Sequence, residues 1–381
     1  MMVCQLANLK SIREVVLVLA SCESPQKQLG LSETVKRSTL SYANAHRPWE
    51  ILAQELKAHY ETIFHELLKK CQAEVAAKGG RRKFRFKNKL VSLDGSIIDL
   101  SVTMYDWAKY RQTNGARVES ALGAIKLHLL LDHNGYLPSF AVVTEGKMRF
   151  KLLRQRSELE IARSLKLDPG TILVIDQCAL NSCASGYNDY EWFLEMTMDG
   201  VYFVTRMKTN CVYKVEEECE VPEKGNVMRD QIISLPALSK AGEEPALFRR
   251  IEYWNEEKSE ILVFFTNILH LAASTIAKIF KERWQIELFF KALKQNLKVK
   301  TFLGTSVNAV KTQIWTALIA MLILKYLQMK STYGWSLSNL SALLRTQLFI
   351  YRDLWAWLNS PMDGPPAARQ LNEQLAMPLV W

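Results

Sequence analysis

The sequence predicts a mixed α/β protein, and three patterns along its 381 residues lead to that fold class. Apolar residues recur at helical spacing near the N-terminus and again in the C-terminal third. Between these regions, short alternating stretches with Asn-Gly turn chemistry predict antiparallel hairpins. A continuous apolar run at 171–175 is typical of a strand buried on both faces. We therefore expect a central sheet with helices on either side.

The N-terminal region, residues 1–78, is predicted to be a small helical domain. Its segments 12–19 and 49–71 carry apolar residues at helical spacing. In the run at 81–87 that follows, basic residues alternate with aromatic ones. Two interpretations of this run stay open: a strand that binds a nucleic-acid backbone, or an edge strand kept soluble by Lys and Arg.

The predicted core is divided by an insertion. Residues 79–206 form its first part, with strands at 90–93, 97–102, 124–131, 138–144, 171–175 and 201–205. Residues 207–268 are charged and interrupted, which predicts a β-rich insertion. Residues 269–330 are helical and complete the core, and residues 331–381 are expected to form a peripheral helical tail. Within this plan Asp94 and Asp176 each end an apolar strand.

One predicted helix, at about 274–297 with Ser274 or Thr275 as its N-cap, carries an unusual polar stripe. At about 100° per residue, three side chains fall within roughly 40° of Glu287. These side chains are Phe280, Arg283 and Lys294. The remaining positions are mostly apolar, so the helix should be largely buried with its stripe facing a site.

The spacing of Arg283 and Glu287 alone favours an ordinary ion pair on a solvated face. The apolar surroundings oppose that interpretation, because burying unneeded charge is costly. Two Asp residues at strand ends and a Glu on a nearby helix form the hard-oxygen ligand set that Mg²⁺ or Mn²⁺ prefers. The residues predicted to ligate metal are therefore Asp94, Asp176 and Glu287. Two such ions roughly 4 Å apart activate an attacking water or 3′-hydroxyl.

With these residues in place, the sequence resembles the bacterial insertion-sequence transposases of the Asp-Asp-Glu type, the insertion-sequence-four family. Their Tyr-x2-Arg-x3-Glu-x6-Lys signature corresponds here to Phe280-x2-Arg283-x3-Glu287-x6-Lys294. Further blocks of the resemblance are Arg37-Ser38-Thr39-Leu40, Leu93-Asp94-Gly95-Ser96, Ala124-Ile125-Lys126-Leu127-His128, Gly186-Tyr187-Asn188-Asp189-Tyr190 and Tyr202-Phe203-Val204-Thr205-Arg206. Together the blocks cover about residues 30 to 330.

The resemblance implies a ribonuclease-H-like core and cut-and-paste transposition. In this view Asp94, Asp176 and Glu287 are catalytic and hold Mg²⁺ or Mn²⁺. Arg283, Lys294 and Phe280 are expected at the DNA phosphates. The implied partners are double-stranded DNA, as terminal inverted repeats and target, and a second copy of the chain on that DNA.

The sequence departs from the family pattern in ways that leave alternatives open. Phe280 stands where the family has Tyr, and residues 177–185 are inserted after Asp176. The second acid is therefore expected to be Asp176, which ends the buried strand, although its usual place could be taken by Ala184. Asp189 is the fallback acid. These departures, and a start that is short for the family, motivate a second hypothesis: a decayed copy that only binds DNA. A metal nuclease without strand joining is the third.

Some residues favour ordinary structural roles. His128 is expected to be packed or hydrogen-bonded, and Asp99 to lie at the surface. Trp254 is expected to be a structural aromatic, although an insertion Trp can also stack on a flipped base.

Bulk composition agrees with an intracellular DNA-associated protein without deciding for one. The net charge of +10 suits a polyanionic partner, and equally suits simple solubility. The seven Cys are expected to be reduced thiols, because their number is odd and the chain is long. The apolar stretch at 314–324 is too short to span a bilayer. We therefore expect a bacterial cytoplasmic protein that contacts no membrane.

Overall fold

The computed structural model describes residues 1–21, 35–46, 59–79, 83–100, 105, 109–110, 122–145, 160–176, 187–221, 225–238, 244–297, 302–350 and 352–362. Their helices are α1 Met2–Ala7, α2 Ile12–Ser21, α3 Arg37–His46, α4 His59–Ala77, α5 Tyr187–Met198, α6 Ala273–Glu282, α7 Trp284–Asn296, α8 Val307–Lys330, α9 Leu337–Gln347 and α10 Leu354–Asn359. Their strands are β1 Leu90–Leu100, β2 Lys109–Tyr110, β3 Leu122–Asp132, β4 Leu137–Glu145, β5 Ile172–Ile175, β6 Tyr202–Arg206, β7 Lys214–Glu218, β8 Val227–Ser234, β9 Leu247–Asn255 and β10 Glu260–Thr266.

These strands form one mixed sheet in the order β2-β3-β1-β5-β6-β10-β9-β8-β7, with β4 also paired to β3. Strands β4, β3 and β1 are antiparallel neighbours, whereas β1, β5 and β6 run parallel. An antiparallel three-stranded unit that continues into parallel strands is the ribonuclease-H-like arrangement expected from the family resemblance. The predicted mixed α/β class and core are therefore confirmed.

The strand that carries Asp94 does not end there, so the prediction of two strands separated at 94–96 is wrong. β1 pairs with β3 without interruption from Val91 opposite Asp132 to Leu100 opposite Gly123. Continuous pairing with β3 supplies hydrogen-bond partners for the backbone N–H and C=O groups at 94–96. A turn at these residues would have needed other partners for the same groups. A Cβ atom at Gly95 would mainly require the flexible end of the Lys126 side chain to move.

Helix α8 forms the centre of the helical layer. It is apolar on almost every side and most of it is buried, as expected for a core helix. Phe64 of α4 packs edge-on against Trp315 of α8, with ring centroids 5.6 Å apart. Among the described residues, α8 is the one helix long and apolar enough to cross a membrane by length and composition, and 78% of its apolar window is buried inside the fold.

The described part of the C-terminal segment is helical, but it is not peripheral as predicted. Trp335, which precedes α9, and Trp357 of α10 are both buried in the cluster that surrounds α8. The Trp335 indole Nε1 donates to the Leu358 carbonyl at 2.7 Å. The Pro and Gly residues suggested a loose tail, whereas these aromatic residues secure it to the core.

The run at 81–87 is not a strand in its described part, residues 83–87, so neither strand interpretation holds. The rings of Phe84 and Phe86 stack at 4.9 Å and pack against the cluster beneath α6. The basic residues that alternate with them, Lys83, Arg85 and Lys87, are exposed. The alternation therefore reflects packing on one side of an irregular segment.

The insertion extends the central sheet, because β10 pairs with β6. A buried ion pair fastens it to the chain that leads into α6. Arg249 donates Nε and Nη2 to the two carboxylate oxygens of Asp230, at 2.8 and 2.6 Å, and Nη1 to the carbonyls of Leu269 and Leu271. The proposed domain boundaries themselves remain a prediction.

Replacing Asp230 with Ala is expected to lower the free energy of unfolding by about 3 to 5 kcal/mol, because the buried Arg249 guanidinium loses its carboxylate partner. Urea unfolding measures the change. The control is Glu256→Ala, an exposed residue that accepts one bond from Asn226. That control should cost about 0.5 kcal/mol or less. Equal losses in both variants would contradict the structural role of the pair.

Candidate active site

Sheet register brings the two predicted aspartates side by side. The parallel pairing of β1 with β5 ends with Leu93 opposite Ile175, and Asp94 and Asp176 are the next residue on each strand. Leu93 and Ile175 point into one apolar cluster. Because side chains alternate between faces, both aspartates point to the opposite face of the sheet, which α6 and α7 cover.

The predicted single helix is two helices that meet at Arg283, and α6 begins at Ala273, with Ala272 as an N-cap residue that makes no side-chain capping bond. The predicted N-cap at Ser274 or Thr275 is therefore wrong. The break follows from packing, because α6 buries Ile276 and Phe280 in one cluster while α7 buries Phe289 in another. At the break Arg283 keeps right-handed helical dihedral angles (φ −51°, ψ −31°), and the backbone bonds shift to i→i−3, from the Arg283 N–H to the Phe280 carbonyl and from the Ile286 N–H to the Arg283 carbonyl.

Arg283 joins the acids from the strand and the helix. Its Nη2 lies 2.8 Å from a Glu287 carboxylate oxygen and 3.2 Å from an Asp176 carboxylate oxygen. The guanidinium side chain is 10% exposed, whereas that of Glu287 is 34% exposed. The ordinary i, i+4 ion pair is thus present, but the same cation also reaches Asp176. Two of the three predicted metal ligands therefore converge on one positive group.

Asp94 belongs to the same electrostatic group. Burial raises the pKa of its carboxyl above the usual value, and the Gly95 N–H bond and Arg283 oppose that rise. The negative charge of Glu287 also raises it. Asp94 therefore senses both Arg283 and Glu287, so the three predicted acids share one site.

The donor chemistry of this site suits a hard divalent cation, since all three ligands are carboxylates. Asp176 and Glu287 share one guanidinium, and the charge of Glu287 adds to the burial that raises the pKa of Asp94, so a cation placed here would offset negative charge. In the described part of the chain, no three His, Cys, Asp or Glu side chains are already spaced as a metal-ligand set. Arg283 occupies the place between Asp176 and Glu287.

Phe280 and a further arginine complete the surroundings. Phe280 is 6% exposed, and the guanidinium carbons of Arg283 and Arg206 each lie 5.7 Å from its ring centroid. The ring therefore supports two cations by cation–π contact. Its expected contact with DNA phosphate stays a prediction.

Sequence reasoning gave Arg206 no role. Its Nε lies 3.8 Å from an Asp176 carboxylate oxygen. Val204 of β6 pairs with Val174 of β5. Arg206 comes two residues after Val204, and Asp176 comes two residues after Val174, so the two residues occupy matched positions. The sequence feature that could have indicated this contact is the matched position of the two residues at the ends of adjacent parallel strands. Recognising it requires the sheet register.

Lys294 lies in the last turn of α7. Its Nζ donates to the Ile97 carbonyl of β1 at 2.8 Å, three residues beyond Asp94. This bond ties the end of the helix to the strand that carries the first acid. Its role in binding phosphate stays a prediction.

The remaining predicted residues have simple placements. His128 is buried, with Nε2 3.1 Å from the Thr144 hydroxyl, which confirms the structural interpretation. Asp99 is exposed, as expected. Trp254 is 37% exposed on β9. The inserted residues 177–185, which include Ala184, and the side chain of Asp189 lie outside the described residues.

A buried histidine lies beside the site. His133 Nε2 is 2.7 Å from the Ser92 hydroxyl, and Nδ1 is 4.0 Å from a Glu282 carboxylate oxygen. Burial lowers the pKa of His133 to about 4, a shift that Glu282 opposes and Lys83 reinforces. The folded protein therefore keeps this imidazole neutral where the unfolded chain would already be protonated.

This difference predicts acid sensitivity. Between the unfolded value of 6.5 and the folded value of about 4, the unfolded chain binds the extra proton, so stability falls as pH falls through that window. His133 should account for about 3 kcal/mol of that loss. We expect His133→Gln to flatten the profile of unfolding free energy against pH across the window. An unchanged slope in this variant would contradict the assignment.

Comparison with known proteins places this geometry in a family. The transposase DDE domain model matches residues 85–323. A candidate transposase of Sinorhizobium fredii is 26% identical over 91% of this chain and 89% of its own length. A protein of Geobacillus stearothermophilus, named as the transposase for insertion sequence element IS5377, is 26% identical over 75% of this chain and 72% of its own. The piggyBac transposase synaptic complex with hairpin DNA aligns with 74% of this chain and 55% of that one, with a TM-score of 0.38 and 10% identity. The chain belongs to the transposase DDE domain family, as an Asp-Asp-Glu transposase of the insertion-sequence type.

Proposed function

We propose that this protein is an active cut-and-paste transposase that cuts DNA strands at the ends of its element and joins them to target DNA. The observation that carries this proposal is that Asp176 and Glu287 share Arg283, while Asp94 lies at the position adjacent to Asp176 on the neighbouring strand. Such a cluster of buried charge is costly to maintain for stability alone. It is well suited to holding cations and phosphate during strand cleavage.

The three carboxylates would hold Mg²⁺ or Mn²⁺. Two such ions, when bound, supply an activated water or 3′-hydroxyl and stabilise the leaving oxygen. Asp94 and Asp176 would supply ligands from adjacent strands, and Glu287 from the first turn of α7. Ligands on strands and helices are held more rigidly than ligands on loops.

Basic residues around the acids would position the DNA. Arg283 contacts Asp176 and Glu287, and a bidentate contact to a phosphate would compete with those bonds. Arg206, at 31% exposure, lies on the other side of Asp176. Lys294 would act as a point charge further along α7. Together they would draw a phosphate towards the carboxylates.

The proposed partners are the terminal inverted repeats of the element and its target DNA, bound as double strands. We propose a homodimer on DNA, because cutting two element ends requires two such sites. The proposed location is the bacterial cytoplasm. The positive net charge of +10 supports association with DNA.

The test uses full-length protein and DNA duplexes that carry the inverted repeats flanking its gene. With Mg²⁺ or Mn²⁺, we expect breaks at the repeat ends and, with target DNA added, joined products. EDTA should abolish both.

Binding without breaks would instead indicate a decayed copy, and breaks that never lead to joining would indicate a nuclease. A variant with the inserted residues 177–185 shortened to restore Asp-Arg-Gly-Tyr separates these cases, because only a decayed copy would gain cleavage.

A further inference from the structure

Glu282 is a buried carboxylate in an unfavourable position. It is 5% exposed and is the last residue of α6. Burial of this carboxylate is costly unless partners offset the loss of its hydration. A charged group in this position therefore requires specific contacts to hold it.

Those contacts come from two separate segments, the one that carries Lys83 and the turn between β3 and β4. The Lys83 ammonium pairs with one carboxylate oxygen. The Tyr136 hydroxyl donates to the other at 3.4 Å, and His133 Nδ1 lies 4.0 Å from it. His133 in turn contacts the fully buried Ser92 through Nε2. The group therefore links the end of α6, the turn between β3 and β4, and strand β1.

Both ends of this network lie beside catalytic residues. Glu282 immediately precedes Arg283, at the break between α6 and α7. Ser92 precedes Asp94 by two positions on β1, so the two side chains share a face of the sheet. The network is thus a second connection, separate from the carboxylate cluster, between the strand and the helix that carry the proposed ligands.

We propose that Glu282 is a positioning residue that fixes the α6–α7 break and thereby places Arg283 and Glu287 relative to Asp94. The Lys83 ammonium and the Tyr136 hydroxyl hold its carboxylate, and His133 connects it to β1. It touches neither substrate nor metal. Its effect on cleavage rests on the proposed function, whereas its effect on the helix break does not.

The test compares Glu282→Gln with Glu257→Gln. The control removes a carboxylate that is 72% exposed and pairs with Lys281, the neighbour of Glu282 on α6. Two measurements are made on full-length protein. The first is hydrogen exchange of the amides in 283–290, and the second is single-turnover cleavage at saturating element-end DNA, together with the Kd for that DNA.

In Glu282→Gln we expect about tenfold faster exchange in that segment, because a local contact that opposes opening is lost. We expect cleavage to fall about 30-fold with Kd changed less than about twofold, because ligands are displaced while DNA contacts remain.

The control should leave every measurement unchanged. Equal exchange at 283–290 in the two variants would overturn the proposal, and so would faster exchange spread through the whole sheet, which marks a merely structural residue. If Glu282→Gln does not fold, Tyr136→Phe removes one hydroxyl donor and should give the same local pattern at about threefold. If the wild type does not cleave DNA, the proposed function fails, and the exchange comparison still decides the role of Glu282.

Discussion

Replacing Glu287 with Gln is expected to slow DNA strand cleavage by about 10³-fold or more while DNA binding is retained. The substitution preserves size and removes one negative ligand oxygen. Glu287 is only partly buried, and Arg283 keeps its contact with Asp176, so the fold should persist. The loss should therefore appear in the rate at saturating DNA rather than in the affinity.

The measurement is single-turnover cleavage of element-end DNA in Mg²⁺, with Kd from a separate binding assay in Ca²⁺ or EDTA. Asp99→Asn is the matched control, since Asp99 is an exposed carboxylate on the strand that carries Asp94. It should cleave like the wild type. Undiminished cleavage by Glu287→Gln would remove Glu287 from the site.

Replacing Arg283 with Gln should have three measurable effects. The free energy of unfolding in EDTA should fall by about 2 kcal/mol, less than for a fully buried pair because Glu287 is 34% exposed. Cleavage should fall about 10²-fold, because a positive group at the transferring phosphate is lost. In addition, Mn²⁺ should stabilise the variant more than the wild type, because Asp176 and Glu287 lack the Arg283 guanidinium in the variant.

Urea unfolding with and without Mn²⁺ checks the stability effects. The control is Arg229→Gln, because Arg229 is 55% exposed and lies 4.0 Å from its partner Glu252. A surface pair of this kind contributes about 0 to 1 kcal/mol. If Mn²⁺ stabilises the Arg283 variant and the wild type equally, Arg283 does not occupy the place of a cation.

Local sequence patterns singled out two of the three proposed ligands, whose role in catalysis stays a prediction. Asp176 follows a continuously apolar strand, and Glu287 lies in an apolar helix, so each stood out from its neighbours. The strand-end argument for Asp94 was wrong, since β1 continues to Leu100. Asp94 nonetheless reaches the site, because the parallel register ends one residue before it.

Other features of the site depend on contacts between distant parts of the chain. The break at Arg283 arises because α6 and α7 pack against different apolar clusters, which periodicity within one segment does not reveal. Lys83 and Glu282 are 199 residues apart in sequence, so their pairing has no local signature. The role of Arg206 follows from the alignment of β5 with β6. These features become visible only when the sheet register is known.

The identity of the second acid is the central claim, and a change of metal preference tests it most directly. Cysteine thiolate is a softer ligand than carboxylate and suits Mn²⁺ better than Mg²⁺. We predict that Asp176→Cys loses cleavage in Mg²⁺ and recovers a substantial part in Mn²⁺, whereas Asp189→Cys behaves like the wild type in both metals. A Mn²⁺-selective recovery in Asp189→Cys, with Asp176→Cys equally active in both metals, would contradict the account.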